Sequence, residues 1–393
     1  MLSSITGGPD SVDINSRNTI FAAFLVGVIA PEVFIVQPGF VQGMVELLSF
    51  TEQQAGYVVT AEMSGLAITA IAMTFVAHRL NWRVVVLCSL LLMFIANALC
   101  TMTSELPAFT ALRFASGLGA GSLVSLSFAA VGLTRNPDRN FGLLIMWVLV
   151  YGALGLWLMP TAYALSGMDG VLWFFALFPL VAIPFIRYFP ITGETVKQIE
   201  ADAVELSNPM KKMALAAMLS YFTAQGVVWA YLFLIGIEGG LGEQEVANGL
   251  MMSQFAGIAG AFLAAMLGSR FGRSTPLALG IVGGAFCLYF IVGKFSFLVF
   301  ALAVGVYNFA WNFVHPFLLA AMASFDHRGR VVVYAVAMQM VGLVIGPFLA
   351  ASVVSEGNFY NVNRLGAVLF VLSAILILPP VLSQLRQHRQ RDA

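Results

Sequence analysis

The sequence predicts an all-α membrane protein of about twelve transmembrane helices, set as two pseudo-symmetric six-helix bundles with both termini cytoplasmic. Three observations lead there. Of 393 residues, 60% are hydrophobic and only 10% charged, where soluble domains carry about 25% charged residues; the mean hydropathy is +0.91. Apolar runs of roughly 20 residues, the length a bilayer requires, recur along the whole chain. Basic residues gather in alternate connections.

Split at charged or turn-rich breaks, the runs fall at 19–45, 54–77, 83–103, 107–133, 140–165 and 170–189, then at 210–236, 245–268, 275–293, 297–322, 330–354 and 361–383. Residues 1–18 form a polar N-terminal tail, 19–189 a first bundle, 190–209 a cytoplasmic linker, 210–383 a second bundle and 384–393 a basic tail. The linker carries Glu194, Lys197, Glu200, Asp202 and Glu205 at partly helical spacing. No cleaved signal peptide is expected, because the first apolar run has the length of an ordinary span.

Orientation follows from the preference of cytoplasmic loops for Lys and Arg. Arg17, Arg79, Arg83, Arg135, Arg139, Arg187, Lys211, Lys212, Arg270, Arg273, Arg328, Arg330 and Arg386 all fall on one side, together with the linker and tail cations. Arg113, Lys294 and Arg364 do not, and the opposite loops hold Glu46, Glu52, Glu105, Asp169, Glu238, Glu243 and Glu245. Both termini on the cytoplasmic side require an even number of spans.

Composition also excludes function classes. Lys+Arg and Asp+Glu are both 19, so there is no basic footprint for nucleic acid. Cys88, Cys100 and Cys287 lie in or beside apolar runs without CxxC spacing and read as small buried hydrophobes. No phosphate-binding GxxxxGK[ST] loop, zinc-spaced histidines or serine elbow occurs. We therefore expect no enzyme activity, no cofactor and no metal; ATP is not the energy source, which leaves an ion gradient.

Arg113 interrupts the fourth apolar run, in the stretch Arg113-Phe-Ala-Ser-Gly117-Leu-Gly119-Ala-Gly121. A cation inside a bilayer costs several kcal/mol (about 3 or more), so it faces a partner or a wet cavity. The glycines strip one helix face of bulk and admit a close neighbour. The halves echo one another: His78-Arg79-Leu80-Asn81-Trp82-Arg83 matches Ser269-Arg270-Phe271-Gly272-Arg273, and Asp138-Arg139-Asn140 matches His327-Arg328-Gly329-Arg330. Two parallel halves with a substrate site between them near the midplane is a known transporter plan.

With these motifs the chain resembles the major facilitator superfamily along essentially its whole length. Arg113-xxx-Gly117-x-Gly119-x-Gly121 is similar to that family's fourth-helix motif, Arg270 to Arg273 to its second helix 2–3 loop, and Gly342-Leu-Val-Ile-Gly346-Pro347 to its GxxxGP element. The resemblance implies a monomeric secondary transporter in the cell membrane, surrounded by lipid, with conformational gating at Arg79, Arg83, Arg139, Arg270, Gly272, Arg273 and Arg328. His78 and Asn81 stand where the family usually has Asp and Gly. Tyr151 to Pro160 lacks the clean pattern of drug/proton antiporters, which favours uptake with protons. The alternative is a multidrug-type proton antiporter exporting hydrophobic or cationic compounds.

Glu32, Glu62 and Arg113 are the interior charges and the candidates for proton coupling. At 1.5 Å rise per residue, Glu62 and Arg113 sit roughly 9–12 Å below the outer ends of their spans, with Glu32 deeper. Two acids sharing one guanidinium leave one carboxylate over for a proton or a cationic group. Each group also has a structural reading: Glu32 permanently paired with Arg113, Glu62 hydrated near the outer mouth, Arg113 a link between helices. Candidate substrate contacts are Glu32, Gln37 and Arg113 with the uncharged wall of Tyr221, Gln225 and Trp229, spaced i, i+4, i+8, and Tyr307, Asn308, Trp311, Asn312 and His315. Such a wall suits a small molecule with a ring or apolar body and a few hydrogen-bonding groups. Gln254 and Gln339 read as interhelical contacts.

Overall fold

The computed structural model describes residues 12–192, 204–268, 272–326, 330–355 and 357–392, apart from the side chains of Asp138 and residues 388–392. The chain divides into two compact units, Met1–Val196 and Lys197–Ala393. The first holds α1 (Arg17–Ile29), α2 (Glu32–Ile35), α3 (Gln37–Leu47), α4 (Glu52–Val76), α5 (Trp82–Cys100), α6 (Leu106–Gly132) and α7 (Pro137–Leu180). The second holds α8 (Asn208–Trp229), α9 (Leu232–Glu238), α10 (Glu243–Leu267), α11 (Ser274–Cys287), α12 (Phe297–Ala323), α13 (Arg330–Val353) and α14 (Tyr360–Asp392).

Local chemistry sets many of the boundaries. Thr51 and Gln54 form a reciprocal capping box at the start of α4, and the Asn81 side chain accepts from the Arg83 and Val84 backbone amides before α5. Such caps satisfy amides that a helix start leaves open. Proline stands at the first turn of α6, α7 and α8, where its missing N–H is harmless.

Eight helices among the described residues are long and apolar enough to cross a membrane, or nine if α8 and α9, bent by 47°, form one span. Several expected boundaries change. The run at 19–45 is not one helix: it breaks around Pro31 and again at Val36. Within α7 the helix is interrupted at Gly167, at φ 61°, between the expected runs at 140–165 and 170–189; glycine tolerates that left-handed geometry. The run at 210–236 breaks between Trp229 and Leu232. α14 continues to Asp392, so the basic stretch after 383 extends the helix. Cys88 is exposed, while Cys100 and Cys287 are buried; all three are free thiols.

In the first unit α4 packs mainly on α6, and α5 on α6 and α7. In the second, α10 packs mainly on α12, and α8 on α13 and α14. The closest approaches run through glycines. A Cβ on Gly117 would run into the Glu62 carbonyl and one on Gly121 into that of Leu66, so the α4 and α6 backbones touch. A Cβ on Gly346 would lie 2.6 Å from Gly226 Cα, bringing α8 against α13.

This contact is tested by Gly346→Ala, which must push the α8 and α13 backbones apart. We expect a loss of about 1–3 kcal/mol, the usual penalty of overpacking, read by thermal unfolding in detergent. Gly283→Ala, where an added Cβ meets nothing within 4 Å, should leave the midpoint unchanged or raised.

Candidate functional site

The first unit encloses a polar cluster drawn from several of its helices. Arg113 on α6 is fully buried, and its Nε donates to Glu62 Oε2 on α4 at 3.3 Å. A second Arg113 nitrogen, Nη2, meets Glu62 Oε1, closing a bidentate ion pair. Nη1 donates to Asn97 Oδ1 on α5, and the Asn97 amide nitrogen donates to the Phe175 carbonyl on α7 at 3.2 Å. The guanidinium carbon lies 5.0 Å from the centre of the Phe40 ring on α3, a favourable cation–π position. Cys100 sits beside the same guanidinium.

Glycine packing explains how this arrangement is held. Gly117 lies one helical turn beyond Arg113 and abuts the Glu62 backbone. The same helix pair that brings Gly117 onto Glu62 therefore places the Glu62 carboxylate against Arg113. A planar guanidinium matches a carboxylate in two-point contact.

Glu32 stands apart. It is fully buried, and neither carboxylate oxygen has a hydrogen-bond partner among the described residues. It is nonetheless within electrostatic reach of Arg113 and Glu62. The helix break at Val36 turns that residue's amide away from the Glu32 carbonyl, and the Tyr151 hydroxyl on α7 donates to this carbonyl at 3.1 Å. The break that orphans one carbonyl thus acquires a partner that pins the acid's backbone. Gln37, one residue beyond the break, is also buried.

The structural readings of the two acids are thereby revised. Arg113 pairs with Glu62, so Glu32 is not its permanent partner. Glu62 is 4% exposed and does not hydrate itself at an outer mouth.

In the second unit, Tyr221, Gln225, Trp229, Tyr307 and Asn308 are buried, whereas Trp311, Asn312 and His315 are half-buried. The Tyr307 hydroxyl donates to the Gln225 carbonyl at 3.0 Å, and Trp229 meets Trp311 edge-on with ring centres 5.8 Å apart. Asn308 donates to Ser253 Oγ at 3.2 Å, and Asn312 donates to Asn308 Oδ1 at 2.8 Å. His315 and Gln339 share a hydrogen bond at 3.0 Å. The expected wall is brought together, with much of its polarity spent internally. Gln225 Oε1 and Gln254 Nε2 are buried without a hydrogen-bond partner among the described residues.

The expected gating residues scatter in environment. Arg79 is exposed and donates to His78 at 3.1 Å, and Arg139 is exposed. Arg83 is fully buried, its Nε donating to the Phe189 carbonyl at 2.7 Å. Arg273 donates to Ser324 Oγ at 2.6 Å, and Gly272 adopts φ +67°. Arg270 and Arg328 lie outside the described residues.

Asn97, Phe40 and Tyr151 went unrecognised as partners of the charges. Asn97 carried a usable signal, as an amide inside the apolar run from Val84 to Cys100.

The family profile of the Major Facilitator Superfamily matches residues 20–325. Joined to the apolar helices, this match defines a multi-pass membrane protein and a secondary transporter: the chain belongs to the major facilitator superfamily, whose members are transporters, not enzymes. No curated protein matches the chain.

Removing one partner of a buried ion pair leaves an uncompensated charge and typically costs about 3–5 kcal/mol. We expect Glu62→Gln and Arg113→Gln each to lower unfolding stability on that scale, and the double variant to lose less than the sum. Additive losses in a double-mutant cycle would contradict the pairing.

Proposed function

We propose that this protein is a proton-coupled transporter of a small organic solute, working by alternating access with Glu32 as the proton-binding group. The reading rests on the buried Glu32 carboxylate, without a hydrogen-bond partner among the described residues, beside an arginine already engaged by Glu62. Two acids and one base cannot all remain charged cheaply away from water, because burial penalises a carboxylate whose charge is not compensated. Taking a proton onto Glu32 neutralises the cluster; releasing it restores one excess negative charge. Coupling follows if solute binding and this charge change favour the same conformation.

We assign the solute contacts to Gln37, Tyr221, Gln225, Trp229, Tyr307, Asn308, Trp311, Asn312 and His315. The solute is an uncharged or weakly polar molecule with a ring or apolar body. Uptake by symport is the favoured direction, supported by the absence of an antiporter pattern from Tyr151 to Pro160. The surplus acid also supports a second reading, in which a cationic compound displaces the proton from Glu32 and is exported.

The topology belongs to the same proposal. Counted with the nine spans, α1 to α3 supply one more, α11 with its following turn another, and the break at Gly167 in α7 a third. This gives twelve spans in two halves, residues 19–189 and 210–383, with both termini cytoplasmic. The recurring packing order of α4 on α6 and α10 on α12 supports the repeat. The protein then functions as a monomer in the cell membrane.

The test is a panel of neutral ring-bearing amides, alcohols and organic cations, screened by thermal shift and then applied outside proteoliposomes loaded with a pH dye. A binder raises the unfolding midpoint by mass action. Symport predicts acidification of the lumen, and export by antiport predicts the opposite sign for a cation. Glu32→Gln should abolish proton movement while the solute still shifts the midpoint. Undiminished proton flux in that variant removes Glu32 from the mechanism, and thermal shifts that survive both Trp229→Ala and Trp311→Ala remove the aromatic wall.

A further inference from the structure

Asn97 is the one neutral side chain hydrogen-bonded to the Arg113 guanidinium among the described residues apart from the adjacent Cys100. Its geometry is fixed at both ends. The amide oxygen accepts from Arg113 Nη1, and the amide nitrogen donates to the Phe175 carbonyl. Because Phe175 belongs to α7 and Asn97 to α5, the amide is held by a helix other than that of Arg113. The Phe175 ring packs edge-on against Phe40 at 5.8 Å, and Phe40 carries the guanidinium on its face. Asn97 itself is fully buried. Held at both ends, the amide presents its oxygen to Nη1 and its nitrogen to the Phe175 carbonyl.

That lock matters for how one positive charge is divided between two acids. Glu62 takes two of the Arg113 nitrogens. Glu32, the other acid acting on this guanidinium, takes none. A buried guanidinium N–H left without an acceptor costs about 1–3 kcal/mol or more, so an Nη1 deprived of Asn97 would seek the Glu32 carboxylate. We propose that Asn97 is a positioning residue that commits Arg113 to Glu62 and thereby reserves Glu32 for the transported proton. The inference rests on the reading of Glu32 as the proton-binding group. The titratable groups acting on Glu32 are Arg113 from α6, Glu62 from α4 and Tyr151 from α7; Cys100 on α5 acts on Arg113 and Glu62 rather than on Glu32.

Two substitutions at this position act in opposite senses, which a merely structural role would not produce. Asn97→Ala frees Nη1 to share its charge with Glu32 and favours the ionised acid. Asn97→Asp, nearly isosteric, gives up the donor to the Phe175 carbonyl but adds a carboxylate for Nη1, and this added negative charge favours the protonated acid. The readout is the infrared band of a protonated buried carboxyl in the purified full-length protein, followed against pH and identified as the band that Glu32→Gln removes. It needs no transported solute.

We expect the pH of half-loss to fall by about one unit or more in Asn97→Ala and to rise by a similar amount in Asn97→Asp, the scale of a single neighbouring charge. Half-loss at the wild-type pH in both variants, or movement of both in one direction, overturns the role of Asn97. If Glu32→Gln removes no band, the reading of Glu32 as the proton site fails instead. Should Asn97→Ala fail to accumulate as folded protein, Asn97→Leu, close in volume and without an acceptor for Nη1, replaces it, and half-loss at the wild-type pH in that variant overturns the role of Asn97.

Discussion

The ion pair of Arg113 and Glu62 is the interaction on which the rest of the first unit depends. A guanidinium inside a bilayer is tolerable only with a partner, and a buried pair is tolerable only when its remaining hydrogen-bonding capacity is met. Glu62 supplies the charge, Asn97 a further acceptor and the Phe40 ring a polarisable face. Such a pair is poor evidence of net stability, since apolar residues of the same volume often do as well. Its consequence is electrostatic: with Arg113 engaged, Glu32 is left as an acid without a matched base.

The backbone around Glu32 serves the same end. Breaks around Pro31 and at Val36 interrupt what would otherwise be one straight span, and Tyr151 takes up a carbonyl that the second break releases. Breaks of this kind are tolerated in membranes only where the freed groups find partners or line a cavity. The second unit shows a comparable break between Trp229 and Leu232, with the Tyr307 hydroxyl on the Gln225 carbonyl one turn earlier. Its broken helix carries amides and aromatics in place of charge. The first unit thus buries an ion pair and an acid, and the second buries amides and aromatics.

Much of this was legible in the residues alone. Hydropathy, the side occupied by Arg and Lys, and the Arg113 glycine stretch pointed to the family, because bilayer length and loop charge are constraints that leave periodic marks. Glu32, Glu62 and Arg113 stood out because charge is so rare in these spans. Their pairing did not, since i, i+4 spacing orders groups on one helix and says nothing about which helices touch. Gly117 held some of that answer: only the neighbour's identity revealed that it abuts Glu62. Within 19–45, Pro31 is a residue that permits a bend, but the second break at Val36 leaves no mark, because apolar composition is the same in a straight helix and a broken one. The break at Gly167, by contrast, falls between the runs at 140–165 and 170–189, where the apolar pattern is interrupted.

The central claim is that one acid, Glu32, holds a proton that Arg113 does not compete for. Potentiometric titration of the purified full-length protein against its Glu32→Gln variant counts that proton directly. The account predicts curves that differ by one proton per molecule across a single buried-group transition. Curves that superpose across the whole folded range would contradict it.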